Sequence, residues 1–327
     1  MLDAIIVGAG PAGLSAALIL GRCRRRVLVF DSGRPRNAYS HGMQGYLSRD
    51  GIPPAEFLNL AREEVKTYDS VSFIDAEVVN AKQIPQGFEL ELRSGETYQC
   101  RKLLLATGVY DHLPKLPGIG PLWGKSVHNC PDCDGWELRD RPIAVYGEGE
   151  RGYNLALTIK SVWSSDVILF TNGHQDLTQE QRADLEHFTI PVYDEEIDCL
   201  EGEDGQLREI VLRDGTRIPR EGLFFNTPSF IRSKLLDQLG CPYSEADGVE
   251  TGKYERTKVP GLYVAGNILR EVQLAIVAAS QGAEAAFGIN TALAKEDREA
   301  SRSAGFPLSP GASSGAHLNE RASFPAP

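Results

Sequence analysis

Cys130 and Cys133 stand two residues apart in the stretch SVHNCPDCDGWELRDRPIAVYGEG, and Asp134 follows at once. Two thiols at this spacing admit three readings: a metal clamp, a structural accident, or a redox couple. A structural zinc site takes four ligands, commonly as two spaced pairs. The chain has one Cys-x-x-Cys and no partner pair, with only His128 close by in sequence, so zinc fits poorly. Redox exchange fits better. The two thiols can close a small disulfide ring, and a helix N-terminus or an electron-poor group beside one of them favours its thiolate. Asp134 also suits a helix N-cap. His128 reads as a solvated histidine, although it could tune nearby thiolates. Trp136 reads as core. The remaining cysteines, Cys23, Cys100, Cys199 and Cys241, are scattered and read as small buried hydrophobes.

The elements around this pair carry two glycine motifs. AIIVGAGPAGLSAALIL reads as an apolar strand, then Gly8-x-Gly10-Pro11-Ala12-Gly13, then an apolar helix. Gly8 permits a tight turn, Gly10 lets backbone approach a pyrophosphate, and Gly13 allows close helix–strand packing. The helix start offers free N–H groups to phosphate oxygens. The next strand, RRVLVF, ends in Asp31, placed to accept hydrogen bonds from a ribose. Strand, glycines, helix, strand and terminal acid in this order mark a dinucleotide site, but do not choose between FAD and NAD. Two later strands end in small polar turns: KLLLATGVY in Ala106-Thr107-Gly108, and VPGLYVAGN in Gly266-Asn267.

RPIAVYGEGERGYNLALTI repeats the pattern with Gly147, Gly149 and Gly152. Here Glu148 and Glu150 lie inside the would-be phosphate loop, and Arg151 is the nearby cation. An acidic turn repels pyrophosphate. The following strand, SDVILF, runs into Thr171-Asn172-Gly173 with no guanidinium to grip a phosphate, and Arg182 falls in a helix that reads as solvated.

The combination of Gly8/Gly10/Gly13, Ala106-Thr107-Gly108 and the late Gly266-Asn267 strand resembles the two-dinucleotide-domain flavoprotein disulfide reductases. Within them, Cys130-x-x-Cys133-Asp134-Gly135 lies after the first FAD segment, which is similar to the low-molecular-weight thioredoxin reductases. The resemblance covers residues 1 to about 296. It implies an α/β fold of two Rossmann-like, three-layer ββα dinucleotide-binding domains, the second inserted in the first. Residues 1–117 and 247–298 would bind FAD, 118–246 would form the central NAD(P)H-like domain carrying the cysteines, and 299–327 a C-terminal tail.

By the same resemblance, FAD is held by the first glycine loop, by Asp31, and by the Ala106–Gly108 and Gly266-Asn267 turns. The family usually has Gly-Asp where this chain has Gly-Asn, so Asn267 keeps hydrogen-bonding capacity without the charge. Asn37 and His41, in DSGRPRNAYSHGMQGYLSRDG, are candidate flavin neighbours. Cys133 would face the flavin, Cys130 would attack a substrate disulfide, and Asp134 would protonate the departing thiolate. The family's central domain rotates to bring either nicotinamide or cysteines to the flavin. Its basic NADP 2′-phosphate cluster is missing here, so inefficient use of NAD(P)H is expected.

The implied partners are a thioredoxin-like protein or a small dithiol or disulfide, with a homodimer joined through the FAD domains and helped by the small-residue helix Ala275–Ile289. Alternatives are a small-molecule dithiol oxidase using O2, a standard NADPH-thioredoxin reductase, and a flavin redox sensor that does not turn over.

The 327 residues suffice for two domains, and 42% are hydrophobic. A formal charge of −11, from 34 basic and 45 acidic residues, argues against nucleic acid or an anionic membrane as partner. No apolar run reaches the length of a membrane span. MLDAIIVGAG enters a strand with no basic n-region, and the sparse cysteines suit a cytoplasmic protein. Ser301–Pro327 is rich in Ser, Gly, Ala and Pro and reads as an extension, with Phe306, His317 and Phe324 as candidate anchors against the flavin domain.

Overall fold

The computed structural model describes residues 1–227, 229–231, 233–241, 248–269 and 272–305. Phe306, His317 and Phe324 lie outside the described residues.

The N-terminal run builds β1 (Leu2–Val7), α1 (Pro11–Arg22), β2 (Val27–Asp31), α2 (Pro54–Lys66), β3 (Val71–Asp75), β4 (Val78–Ile84), β5 (Gly87–Leu92) and β6 (Thr97–Leu105). They form a seven-stranded sheet in the order β3-β2-β1-β6-β5-β4, with a late strand added to β6. β1, β2 and β3 pair in parallel, as does β1 with β6. β1 and β2 are buried almost throughout, as expected of parallel strands covered on both faces. β4, β5 and the first half of β6 pair antiparallel.

After β6 the chain passes through β7 (Val109–Asp111) into a second, five-stranded sheet. Its region comprises α3 (Ile119–Leu122), β8 (Val127–His128), α4 (Pro131–Asp134), β9 (Ile143–Tyr146), α5 (Gly149–Val162), β10 (Val167–Phe170), α6 (Gln179–His187) and β11 (Val192–Tyr193). There follow β12 (Ile197–Glu203), β13 (Gln206–Leu212), β14 (Arg217–Pro219) and β15 (Gly222–Phe225). The order β11-β10-β9-β15-β8 is a parallel sheet, and β12–β14 form a separate antiparallel layer.

The chain returns through β16 (Ser229–Ile231), which pairs antiparallel with β7. The two connections between the main sheets therefore run side by side as one ribbon. α7 (Leu235–Gln238), β17 (Leu262–Val264) and α8 (Ala275–Ala304) complete the chain. β17 pairs with the second half of β6, on the edge that β5 uses in the first half. One nine-residue strand thus serves both the antiparallel layer and the closing parallel strand. The expected α/β architecture, with a second Rossmann-type unit inserted in the first, is the one observed.

Two details differ from the sequence reading. α7 packs on β4, and Leu235, Leu236 and Leu239 share a core with β1, β5 and β6, so this stretch belongs with the first sheet although it precedes residue 247. α8 continues to Ala304, past residue 298, because EDREASRSA still favours helix and Gly305 closes it at φ 70°. The small-residue face of α8 lies against α1 of the same chain: a Cβ on Gly282 would fall 2.0 Å from the Ala12 carbonyl oxygen.

Candidate active site

The first glycine loop joins β1 to α1. Gly8 has φ +109°, and a Cβ there would meet the Ala106 carbonyl oxygen at 2.3 Å. A Cβ on Gly13 would lie 1.8 Å from the Gly8 carbonyl oxygen. The loop is thus pressed between the β6 turn and its own helix, and no side chain fits at either position. At Gly10 nothing lies within 4 Å of such an atom. Gly10 occupies the N-cap position of α1 without a side-chain cap, and Pro11 begins the helix. The helix start is open to an anion.

A cavity of about 890 Å³ runs from this loop to the cysteines. Gly8, Gly10, Pro11, Ala12 and Asp31 line one part of it, Ala106, Thr107, Gly108, Gly266 and Asn267 another, and Cys130, Cys133 and Asp134 a third. Gly13 lies behind the loop as packing. Asn37 lines the cavity, whereas His41 is exposed and does not. Asp31 accepts from the Gly33 N–H at 3.0 Å and has Arg62 at 3.6 Å. Gln281 of α8 accepts from the Gly266 N–H at 3.0 Å, tying the Gly266 turn to α8.

Thr107 tests whether a dinucleotide fits. Its Oγ1 is buried and has no hydrogen-bond partner among the described residues, yet the residue lines the cavity. A buried hydroxyl left unpaired is costly unless a ligand or water completes it. The open Gly10, the uncapped helix start and the unpaired Thr107 all fit a bound FAD.

Cys130 and Cys133 form a disulfide, with Cα atoms 5.2 Å apart. Cys130 takes the N-cap position of the short α4, and Cys133 and Asp134 lie inside it, so Asp134 is not the cap. The sequence reading of His128 as solvated is wrong. β8 pairs with β15 and draws His128 into the sheet, where its ring lies 5.6 Å from Phe224 and its Nδ1 is 3.3 Å from Asp134 Oδ2. Trp136 is not core: it is 66% exposed and carries the Arg139 guanidinium 4.0 Å from its ring centroid.

The free cysteines were expected to be buried, but Cys23 is exposed at the end of α1 and Cys199 half-buried. Burial pushes the Cys100 thiol up to about 12, and it also raises Cys241 and Cys199. Cys100 and Cys241, both buried, are held as inert thiols.

The second glycine loop has a different environment. Gly147 and Gly152 meet backbone to backbone, as the spacing demands. The Gly149 N–H donates to the Asp176 carboxylate at 3.1 Å, and His174 pairs with Glu148 at 3.0 Å. Arg182, read from sequence as solvated, is bound to Asp194 at 3.0 Å. Arg182 and the Thr171 hydroxyl together hold the Asp194 carboxyl below its usual range.

Sequence reasoning missed Arg36, Asp111, Asn129 and Gln273, all on the cavity wall. Arg36 sits in the stretch from which only Asn37 and His41 were singled out. Asp111 follows the Ala106–Gly108 turn too closely to form a motif of its own. Only their shared cavity reveals them.

Residues 2–282 match the family described as Pyridine nucleotide-disulphide oxidoreductase. The chain is 35% identical over 277 residues to a protein of Claviceps purpurea named Thioredoxin reductase tcpT, covering 82% of this chain and 86% of that one. It is 31% identical over 318 residues to Thioredoxin reductase aclD of Aspergillus oryzae, covering 91% and 98%. Among solved structures it is similar to HlmI, with TM-score 0.88 and 36% identity over 93% of this chain and 96% of that one. This chain belongs to the pyridine nucleotide-disulphide oxidoreductase family, as a flavin-dependent disulfide oxidoreductase of the thioredoxin reductase-like kind.

Proposed function

We propose that the protein moves electrons between FAD and the Cys130/Cys133 pair, and from there exchanges them with a dithiol or disulfide partner, without efficient use of NAD(P)H. The observation that carries this reading is the single cavity with the first glycine loop at one part of its wall and the disulfide at another. FAD bound there supplies a two-electron donor or acceptor.

The chain's own residues do the rest. In the direction of dithiol oxidation, one substrate thiolate attacks Cys130 Sγ, breaking the Cys130–Cys133 bond and releasing Cys133 as a thiolate. The second substrate thiol then attacks the mixed disulfide and releases Cys130, closing the substrate disulfide. Asp134, which follows Cys133 on the cavity wall and holds an oxygen 3.3 Å from His128 Nδ1, supplies or removes the proton of the departing thiol. Gly8, Gly10 and the α1 start hold the pyrophosphate, Asp31 a ribose, and Thr107 a polar group of the cofactor.

Inefficiency with NAD(P)H is supported by the second loop. Asp176 takes a backbone N–H suited to a phosphate, Glu148 adds a further acid, and Arg182 is already neutralised by Asp194. The same observation favours a second reading, oxidation of a small dithiol with O2 as final acceptor, because electrons then enter through the cysteines alone. A thioredoxin-like protein is the alternative partner. Free Cys23, Cys100, Cys199 and Cys241 support a reducing, cytoplasmic setting. Among the described residues no helix is long and apolar enough to cross a membrane. A homodimer joined through the FAD domains is retained as a proposal; within one chain, α1 packs against α8 at Gly282.

The test is anaerobic mixing of the FAD-loaded protein with NADPH, NADH, reduced ferredoxin and dithiothreitol while the flavin band is followed. Fast bleaching by dithiothreitol and slow bleaching by NADPH is expected. Rapid bleaching by NADPH with none by dithiols would overturn the reading, and O2 uptake driven by dithiol marks the oxidase.

A further inference from the structure

We propose that Asp111 is the positioning residue of the redox centre: a buried carboxylate that pins the cysteine turn over the cavity and fixes how the two sheet units face each other. This rests on the reading of Cys130/Cys133 as the redox pair.

Asp111 ends β7, one strand of the ribbon through which both connections between the main sheets pass. A two-stranded ribbon does not by itself set a mutual orientation. Contacts across the cleft must do so. The Asp111 side chain is 7% exposed. On one side Arg36, from the loop after β2, grips it in a fork, Nε to Oδ2 at 2.7 Å and Nη2 to Oδ1 at 2.5 Å. The remaining Arg36 nitrogen, Nη1, donates to Gln273, just before α8. On the other side the Asn129 amide donates to Asp111 Oδ1 at 2.8 Å.

Asn129 immediately follows β8 of the second sheet and immediately precedes Cys130. One carboxylate therefore joins the first sheet's loop, the ribbon and the cysteine turn. A second contact joins the same two regions. A Cβ on Gly124 would lie 2.7 Å from the Tyr39 carbonyl carbon, so the backbones touch there and φ +74° suits glycine.

The physical reason for a charge at this point is the cost of moving away from it. Asp111 is satisfied by Arg36 in any orientation, since both belong to the first unit and its ribbon. Asn129 is satisfied only when the cysteine turn faces the cavity. Rotation of the second unit would break a charge-assisted hydrogen bond and expose the Gly124–Tyr39 contact. The arrangement with the disulfide at the cavity is thereby selected, and Asp111 acts on the chemistry through Asn129 and Cys130.

The test uses Asn129→Ala, which leaves the Arg36–Asp111 pair intact and so does not strand a buried charge. Asn129→Asp is its stronger companion, setting a second carboxylate against Asp111. Spin labels on the native Cys23 and on Ser161→Cys, with Cys199→Ser removing the half-buried thiol, report the distance between the two units. In the FAD-loaded protein under anaerobic conditions, the rate at which a water-soluble phosphine reduces the disulfide reports its seating.

The parent should give one narrow distance distribution. Asn129→Ala should add a second population and change the reduction rate about tenfold, as expected for loss of a hydrogen bond to a charged group. Asn129→Asp should do more. If both variants keep the parent's distance distribution and reduction rate, Asp111 is only a structural ion-pair residue and the proposal fails. Variants that show these shifts, beside a parent whose flavin is not bleached by dithiothreitol, would instead sink the redox reading and leave the positioning role standing.

Discussion

Replacing Asp176 by Ser should open the second glycine loop. The carboxylate accepts the Gly149 N–H at 3.1 Å, at the start of α5, whose dipole favours an anion there. Both Asp176 and His174 are exposed, so the intrachain contact contributes modestly, about 0.5–1 kcal/mol. For an incoming pyrophosphate the loss is larger. It must displace the carboxylate and sit about 4 Å from where that charge lies, and each unit pair at that distance in water costs about 1 kcal/mol before screening. Removing Asp176 therefore improves nucleotide affinity by about 1–2 kcal/mol, roughly 5- to 30-fold. Calorimetric titration with NADH and NADPH, beside urea melts of both proteins, measures affinity and stability separately. An unchanged affinity for both nucleotides, with the variant folded, would refute the claim that Asp176 holds the phosphate position.

Gly13→Val should abolish FAD uptake, because even a Cβ falls 1.8 Å from the Gly8 carbonyl oxygen; normal flavin content after purification would contradict this. Cys133→Ser should stop flavin–thiol electron transfer while leaving FAD bound, as judged by dithiothreitol bleaching. Arg182→Ala should lower stability slightly, about 0.5 kcal/mol, since both partners are over a third exposed. The Asp194 carboxyl is depressed in the folded protein, so its contribution exists above the unfolded value near 3.9 and disappears as pH falls through the lower folded value. Parent and variant melts should therefore differ at neutral pH and converge below about pH 4.

Much of the nucleotide fold was legible because its glycines answer to backbone contacts that no side chain can replace. Gly8, Gly13, Gly147 and Gly152 each meet another backbone segment in the structure. The Cys130/Cys133 pair was legible for a local reason: a separation of three residues brings the two Cα atoms within 5.2 Å, close enough to bridge. What failed were readings that depend on tertiary neighbours. His128 looked solvated because nothing in VHNC shows that β15 will pair with β8 and bury it. Trp136 looked like core because composition cannot show that the turn after α4 leaves its ring at the surface. The packing of α8's small residues on α1 is likewise a tertiary contact that their own pattern does not name. Arg36, Asp111 and Asn129 are far apart in sequence, and their convergence follows only from how the ribbon folds back.

The central claim is that Cys133 faces a flavin held by the first glycine loop. The visible spectrum of FAD-loaded Cys130→Ser tests it most directly, because that variant leaves one thiol at the cavity wall with no partner sulfur. The account predicts a broad long-wavelength absorbance from a Cys133 thiolate in contact with oxidised flavin, lost when Cys133 is also replaced by Ser. A bound flavin with no such band even at a pH above the thiol's titration, or a band that survives the double replacement, would contradict it.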